Sequence, residues 1–182
     1  MKRIILVLAL ALSLSGLHAQ EESPTAKGNR LLNIGVGVFG GTSTPNFMPL
    51  HIGMDFFIIN NLSLGFDLSW RYYASKIEKD RHMLFPVQAV VDYHFNELMH
   101  MNSSWDFYAG LKLGPGYMYT KEEWEDWDTH YESGVKFVFD GVIGFRYYFN
   151  EKVGVNSEIG VISVSGTKTT GVNFSAGISV KL

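Results

Sequence analysis

The sequence predicts an all-β protein, an eight-stranded antiparallel up-and-down transmembrane β-barrel. Three observations lead there. A hydrophobic period of two residues runs almost unbroken from residue 30 to the carboxyl end. One face of that period carries no charged residue, while the other carries acids, bases and many glycines. The segments between periodic stretches alternate between short and long.

The amino-terminal stretch predicts export. Met1-Lys2-Arg3 is a basic start, Ile4 to Leu14 an apolar core, and Ser15-Gly16-Leu17-His18-Ala19 a small-residue approach to a cut. Residues 1–19 are therefore read as a signal peptide cleaved after Ala19, since a spanning helix needs about 20 apolar residues. Residues 20–29 are polar and read as a short periplasmic leader, and 30–182 as the barrel. Loss of Lys2 and Arg3 leaves 13 basic against 18 acidic residues, so no basic excess supports nucleic-acid binding. Without cysteine, no disulfide can staple the exported chain.

Eight strands are expected at 30–39, 48–59, 62–74, 84–95, 105–118, 135–149, 153–164 and 172–182. Each is near the length that crosses a bilayer at a tilt, about 9–11 residues, or somewhat longer. In the third, Leu62, Leu64, Phe66, Leu68, Trp70 and Tyr72 share one face, and Ser63, Gly65, Asp67, Ser69, Arg71 and Tyr73 the other. In the sixth, Val135, Phe137, Phe139, Gly141, Ile143, Phe145, Tyr147 and Phe149 alternate with Lys136, Val138, Asp140, Val142, Gly144, Arg146 and Tyr148. Turns at 60–61, 96–104 and 150–152 alternate with loops near 40–47, 75–83, 119–134 and 165–171.

Alternation alone leaves the inward face open, because a soluble barrel alternates too. The polar face decides it. Its glycines, among them Gly35, Gly53, Gly65, Gly110, Gly144 and Gly177, suit a cramped lumen better than a solvated sheet. Aromatics gather at both ends of the apolar face: Trp70 and Tyr72, Tyr93 and Phe95, Trp105 and Phe107, Tyr147 and Phe149. Such rings mark the interfaces of membrane barrels. The apolar face is expected to meet lipid.

The last strand carries Val172, Phe174, Ala176, Ile178, Val180 and Leu182 in alternation up to the end. With this strand, the chain resembles the small OmpX/OmpA-type outer-membrane barrels over essentially its whole mature length. The resemblance implies the cell outer membrane as location. It implies lipid and lipopolysaccharide as surroundings, and recognition of the terminal strand by barrel-assembly machinery. Leu182 departs from that family's usual terminal phenylalanine.

Two constellations are candidates for function. The first is a lumen ion-pair network of Asp55, Asp67, Arg71, Asp92, Lys112, Lys136, Asp140, Arg146 and Glu158, since charges in so narrow an interior must be paired. Folding about the turn centres sets Lys112 opposite Asp140, Arg146 near Glu158, and Asp55 opposite Asp67 with Arg71 four residues on. A gate or proton path is the functional reading and a structural plug the plain one. The second is an acidic, aromatic loop with Glu122, Glu123, Trp124, Glu125, Asp126, Trp127, Asp128 and Tyr131, suited to a surface ligand. Its carboxylates lack the spacing of an EF-hand, and no metal or cofactor is expected. The basic residues of 75–82 suit lipopolysaccharide phosphates.

Catalysis has no motif here. Lipid deacylases on this fold use His-x-Ser, and none of the six histidines has serine two residues on. A distant pair such as Ser75 with His82 or His130 is the remaining route, and His51 and His94 read as hydrogen-bonded lumen residues. The expected function is a non-enzymatic envelope or surface-interaction barrel. A small channel or hydrophobic-solute conduit is the alternative, and a lipid-active enzyme the third.

Overall fold

The computed structural model describes residues 23–41, 45–47, 50–74, 81–123, 129–166 and 170–182. Nine strands lie in this range: β1 (Arg30–Gly41), β2 (Pro45–Phe47), β3 (Leu50–Ile59), β4 (Leu62–Ala74), β5 (Arg81–His94), β6 (Trp105–Glu123), β7 (Thr129–Tyr148), β8 (Val153–Val164) and β9 (Thr170–Lys181). Consecutive long strands pair antiparallel, and β1 pairs with both β3 and β9, from Leu31↔Lys181 to Gly41↔Gly171. That last ladder closes eight strands into a barrel with no free edge along its wall. β2 folds back on the outer end of β1 through Phe39↔Phe47.

The apolar face points outward. Phe66, Leu68, Val87, Phe174 and Ile143 are all exposed, Ile143 to 64%, while Asp55, Asp67, Asp92, Asp106, Asp140 and Arg146 are buried. Stable exposure of such side chains requires a hydrocarbon solvent. Rings band both rims, with Trp70 stacked on Phe85 at one end and Trp105 packed on Phe107 and Tyr147 at the other.

The end with the short turns also carries Ser23 and Leu182. In the β3–β4 turn Asn61 takes φ 64°, a left-handed value that asparagine tolerates. Residues 23–29 run across this mouth and bond the β3–β4 turn. Thr25 Oγ1 donates to Asn61 Oδ1 at 2.9 Å, the Gly28 amide to the Phe57 carbonyl at 2.9 Å, and the Lys27 amide to Asn60 Oδ1 at 2.9 Å.

Several expected boundaries shift. The expected loop 119–134 is mostly strand: β6 continues to Glu123 and β7 begins at Thr129. The apolar alternation fades above the lipid, but backbone pairing does not need it, so Thr120↔Glu132 and Glu122↔His130 stay in register. β5 likewise starts three residues early, at Arg81, and part of the expected loop 40–47 forms β2. In the β3–β4 hairpin Asp55 lies opposite Gly65, not Asp67, because the turn is centred between Asn60 and Asn61 and an irregularity between Phe57 and Ile59 displaces the ladder by one more residue.

Candidate functional site

Small and large residues alternate across the strands of the lumen. Gly110 lies opposite Asp92, and a Cβ there would stand 1.7 Å from the carboxylate. Gly144 lies opposite Tyr108, where a Cβ would meet the ring at 2.3 Å. Each glycine lets a neighbouring strand's long side chain lie across the backbone toward the axis, and the polar network is assembled from those side chains.

The network has three tiers. Nearest the periplasm, the Arg146 guanidinium donates to Asp55 Oδ2 at 2.8 Å and Asp106 Oδ2 at 2.9 Å, and its carbon stands 4.1 Å from the Tyr108 ring centroid. Asn33 donates to the same Asp55 oxygen at 2.8 Å and accepts from Ser179 at 2.7 Å. In the middle, the Lys112 ammonium is 2.9 Å from Glu158 and 3.8 Å from Asp67, which also bonds His51 Nδ1 at 3.1 Å. Toward the outside, Asp140 accepts from Gln88 at 2.7 Å and Arg71 at 3.3 Å. Apolar layers close both ends: Leu31, Phe57 and Tyr148 below, Leu84, Val138, Ile162 and Val164 above, with Met118 against the upper one.

The partners differ from those expected. Lys112 and Asp140 do share a rung, as the turn centre implied. Their side chains nevertheless leave it, Lys112 for Glu158 and Asp67, Asp140 for Arg71 and Gln88. Arg146 takes Asp55 and Asp106 rather than Glu158. Long side chains aimed at the axis meet strands across the barrel, which hairpin folding alone cannot foresee. Lys136 sits at the outer mouth, 3.6 Å from Glu132. Asp92 has no cation within 4 Å among the described residues.

The second constellation splits. Glu122 and Glu123 end β6 and Tyr131 lies on β7, exposed and paired with Tyr119 at 6.3 Å. Trp124, Glu125, Asp126, Trp127 and Asp128 fall outside the described residues, as do Ser75 and the side chains of His82 and His130. The β6–β7 hairpin outruns its neighbour: β7 pairs with β8 only from Val138↔Val164 downward. Phe137 then bonds Ser165 through both backbone groups. Among the described residues, 129–136 pair with β6 alone, leaving one edge of that stretch open.

The sequence from residue 4 to 179 matches the model of the outer membrane protein beta-barrel domain. The chain belongs to the outer-membrane protein β-barrel family. It is a small eight-stranded barrel of the OmpX/OmpA type and lies in the outer membrane. Solved barrels superpose over most of it. Neisserial surface protein A shares 15% identity over 85% of this chain and 96% of its own, with TM-score 0.61. Ail, the attachment invasion locus protein of Yersinia pestis, shares 10% over 86% and 99%, with TM-score 0.59. The outer membrane enzyme PagL shares 12% over 82% and 98%, with TM-score 0.50. At these identities the likeness is one of fold. No curated protein matches the chain in sequence.

Since an enzyme shares the barrel, one arrangement in this outer-membrane barrel bears on catalysis. Ser63 Oγ lies 3.3 Å from His94 Nε2, and His94 Nδ1 lies 2.7 Å from Asp106. The order is that of a hydrolase triad. All three side chains are buried, His94 is packed between Phe57 and Tyr108, and Asp106 is also held by Arg146. A triad needs a reacting carbonyl beside the serine, and this one is buried against the lower apolar layer, with His94 on Phe57. Sequence reading missed it because its members lie on three strands with no shared motif.

Proposed function

We propose that this outer-membrane barrel is a non-enzymatic surface-interaction protein that presents the extracellular extension of β4–β7 to a partner. The open edge of β7 at residues 129–136 carries the reading. An edge strand offers a row of unpaired amide and carbonyl groups, to which an extended segment can add as a further strand. Tyr131 stands exposed beside it, and the tip sequence contributes Glu122, Glu123, Trp124, Glu125, Asp126, Trp127 and Asp128. The lumen favours this reading over a channel, because both apolar layers and the ion-pair network lie across any axial path. Lipopolysaccharide and assembly through β9 belong to the same proposal.

An array of extended peptides tests it, using the folded protein in vesicles and a variant whose residues 121–131 are replaced by a tight Asn-Gly turn joining the paired Thr120 and Glu132. The intact protein should retain peptides that the shortened one releases, with both folding equally. Equal retention by the two would reject the edge as the binding surface. Steady conductance across a planar bilayer would favour the channel instead.

A further inference from the structure

We propose that the closed lumen is a proton-binding site, with the proton carried on Asp92 and hydrogen-bonded through one internal water. Charge balance within the sealed volume motivates it. Between the two apolar layers lie six carboxylates: Asp55, Asp67, Asp92, Asp106, Asp140 and Glu158. Three permanent cations face them: Arg71, Lys112 and Arg146. His51 and His94 bring the cations to five at most. One carboxylate is in excess whatever state the imidazoles take.

The geometry identifies which one. Five carboxylates have a basic or imidazole nitrogen within 4 Å. Asp92 has none among the described residues, and its Oδ1 is buried without a hydrogen-bond partner. An isolated carboxylate in a low-dielectric interior neutralises rather than stay charged.

Asp92 lines a cavity of about 10 Å³. That is roughly the space one water needs, given polar partners. Three other orphaned atoms belong to residues lining the same cavity, His51 Nε2, Arg146 Nε and Asn156 Oδ1. A water there can accept the Asp92 acid hydrogen and donate to the Asn156 oxygen. The titratable groups facing Asp92 are His51 and Asp55 from β3, Asp67 from β4, Tyr108 and Lys112 from β6, Arg146 from β7 and Glu158 from β8. β1 offers neutral Asn33, and His94 follows on β5 itself. The step is one protonation: a solvent proton joins the carboxylate as the barrel closes, and leaves when it opens.

The sign of the pH dependence follows. Unfolded, Asp92 is ionised above the usual carboxylate range near 4. Folded, it holds a proton, so folding takes one up and stability falls as pH rises. Each extra proton bound on folding changes the equilibrium constant about tenfold per pH unit. We would measure urea unfolding in vesicles between about pH 6 and 9, where unfolded carboxylates are ionised, for the wild type and Asp92→Asn. The wild-type constant should fall about tenfold per unit more steeply than that of the variant. The wild-type infrared spectrum should also show the carbonyl band of a neutral buried acid, absent from Asp92→Asn. Parallel pH slopes, or a retained band in the variant, would overturn the assignment. Should Asp92→Asn not fold, the wild type alone decides: no neutral-acid band in the folded barrel means an ionised Asp92 neutralised by a bound cation, and the proposal fails.

Discussion

Replacing Arg146 by methionine should destabilise the folded barrel by about 3–5 kcal/mol, the cost of removing one partner from a buried charge pair. Arg146 is 2% exposed and holds two carboxylates, Asp55 at 2.8 Å and Asp106 at 2.9 Å. Methionine keeps much of the volume, so the loss is electrostatic rather than a cavity. Packing on Tyr108 at 4.1 Å adds a cation–π contribution of up to about 2 kcal/mol when desolvated. Equilibrium urea unfolding in vesicles, followed by tryptophan fluorescence, gives the free energies. The informative measurement is a pair of double-mutant cycles. With Asp106→Asn, Arg146→Met should couple by about 1–3 kcal/mol, because each removes the other's partner. With Glu158→Gln the coupling should stay within about 0.5 kcal/mol, since that carboxylate belongs to Lys112. A loss under about 1 kcal/mol, well short of a buried pair, or stronger coupling to Glu158 than to Asp106, would refute the partner assignment.

Further outcomes are expected. Gly110→Ala should cost about 1–3 kcal/mol by overpacking, since its Cβ would strike Asp92 at 1.7 Å. Gly141→Ala, whose Cβ meets only Leu111 at 3.9 Å, should leave folded yield unchanged. Ile143→Arg, on the lipid face, should cost on the order of 2–4 kcal/mol in bilayer refolding, and an unaffected barrel would reverse the inside–outside assignment. Thr25→Val should release the leader from Asn61 at a cost of about 1 kcal/mol, read as faster proteolysis of residues 20–29. Mass analysis of the same mature protein should give Gln20 as its first residue.

The barrel was legible because lipid imposes a rule that a single strand records. Phe66 and Leu68 face out while Asp67 faces in, and nothing distant is needed to see it. The lumen glycines were legible for a related reason: Gly110 opposite Asp92 and Gly144 opposite Tyr108 are neighbours on adjacent strands. The ion pairs were not. Arg146 reaches Asp55, which precedes it by 91 positions, and Arg71 reaches Asp140 across 69. Those meetings depend on closure and tilt of the whole barrel, and no hairpin encodes them. The strand extensions above the membrane escaped for a different reason. Thr120, Glu122, His130 and Glu132 continue a ladder in water, where side-chain polarity no longer reports on pairing.

The buried Ser63–His94–Asp106 array illustrates why residue types alone assign no activity in such a barrel. A lumen this narrow draws the partners of its polar atoms from side chains of other strands, so hydroxyls, imidazoles and carboxylates become neighbours through packing. Catalysis asks for a further condition, an accessible reacting atom beside the nucleophile. The same enclosure that brings His94 against Asp106 at 2.7 Å withholds it. Rigidity inside and an unpaired edge outside then become complementary. The network fixes the barrel strands, and those strands hold β6 and β7 upright beyond the lipid. The edge at residues 129–136 is thus presented in one orientation, paired among the described residues with β6 alone. An added strand would meet backbone already extended, so most of the ordering entropy of binding falls on the partner.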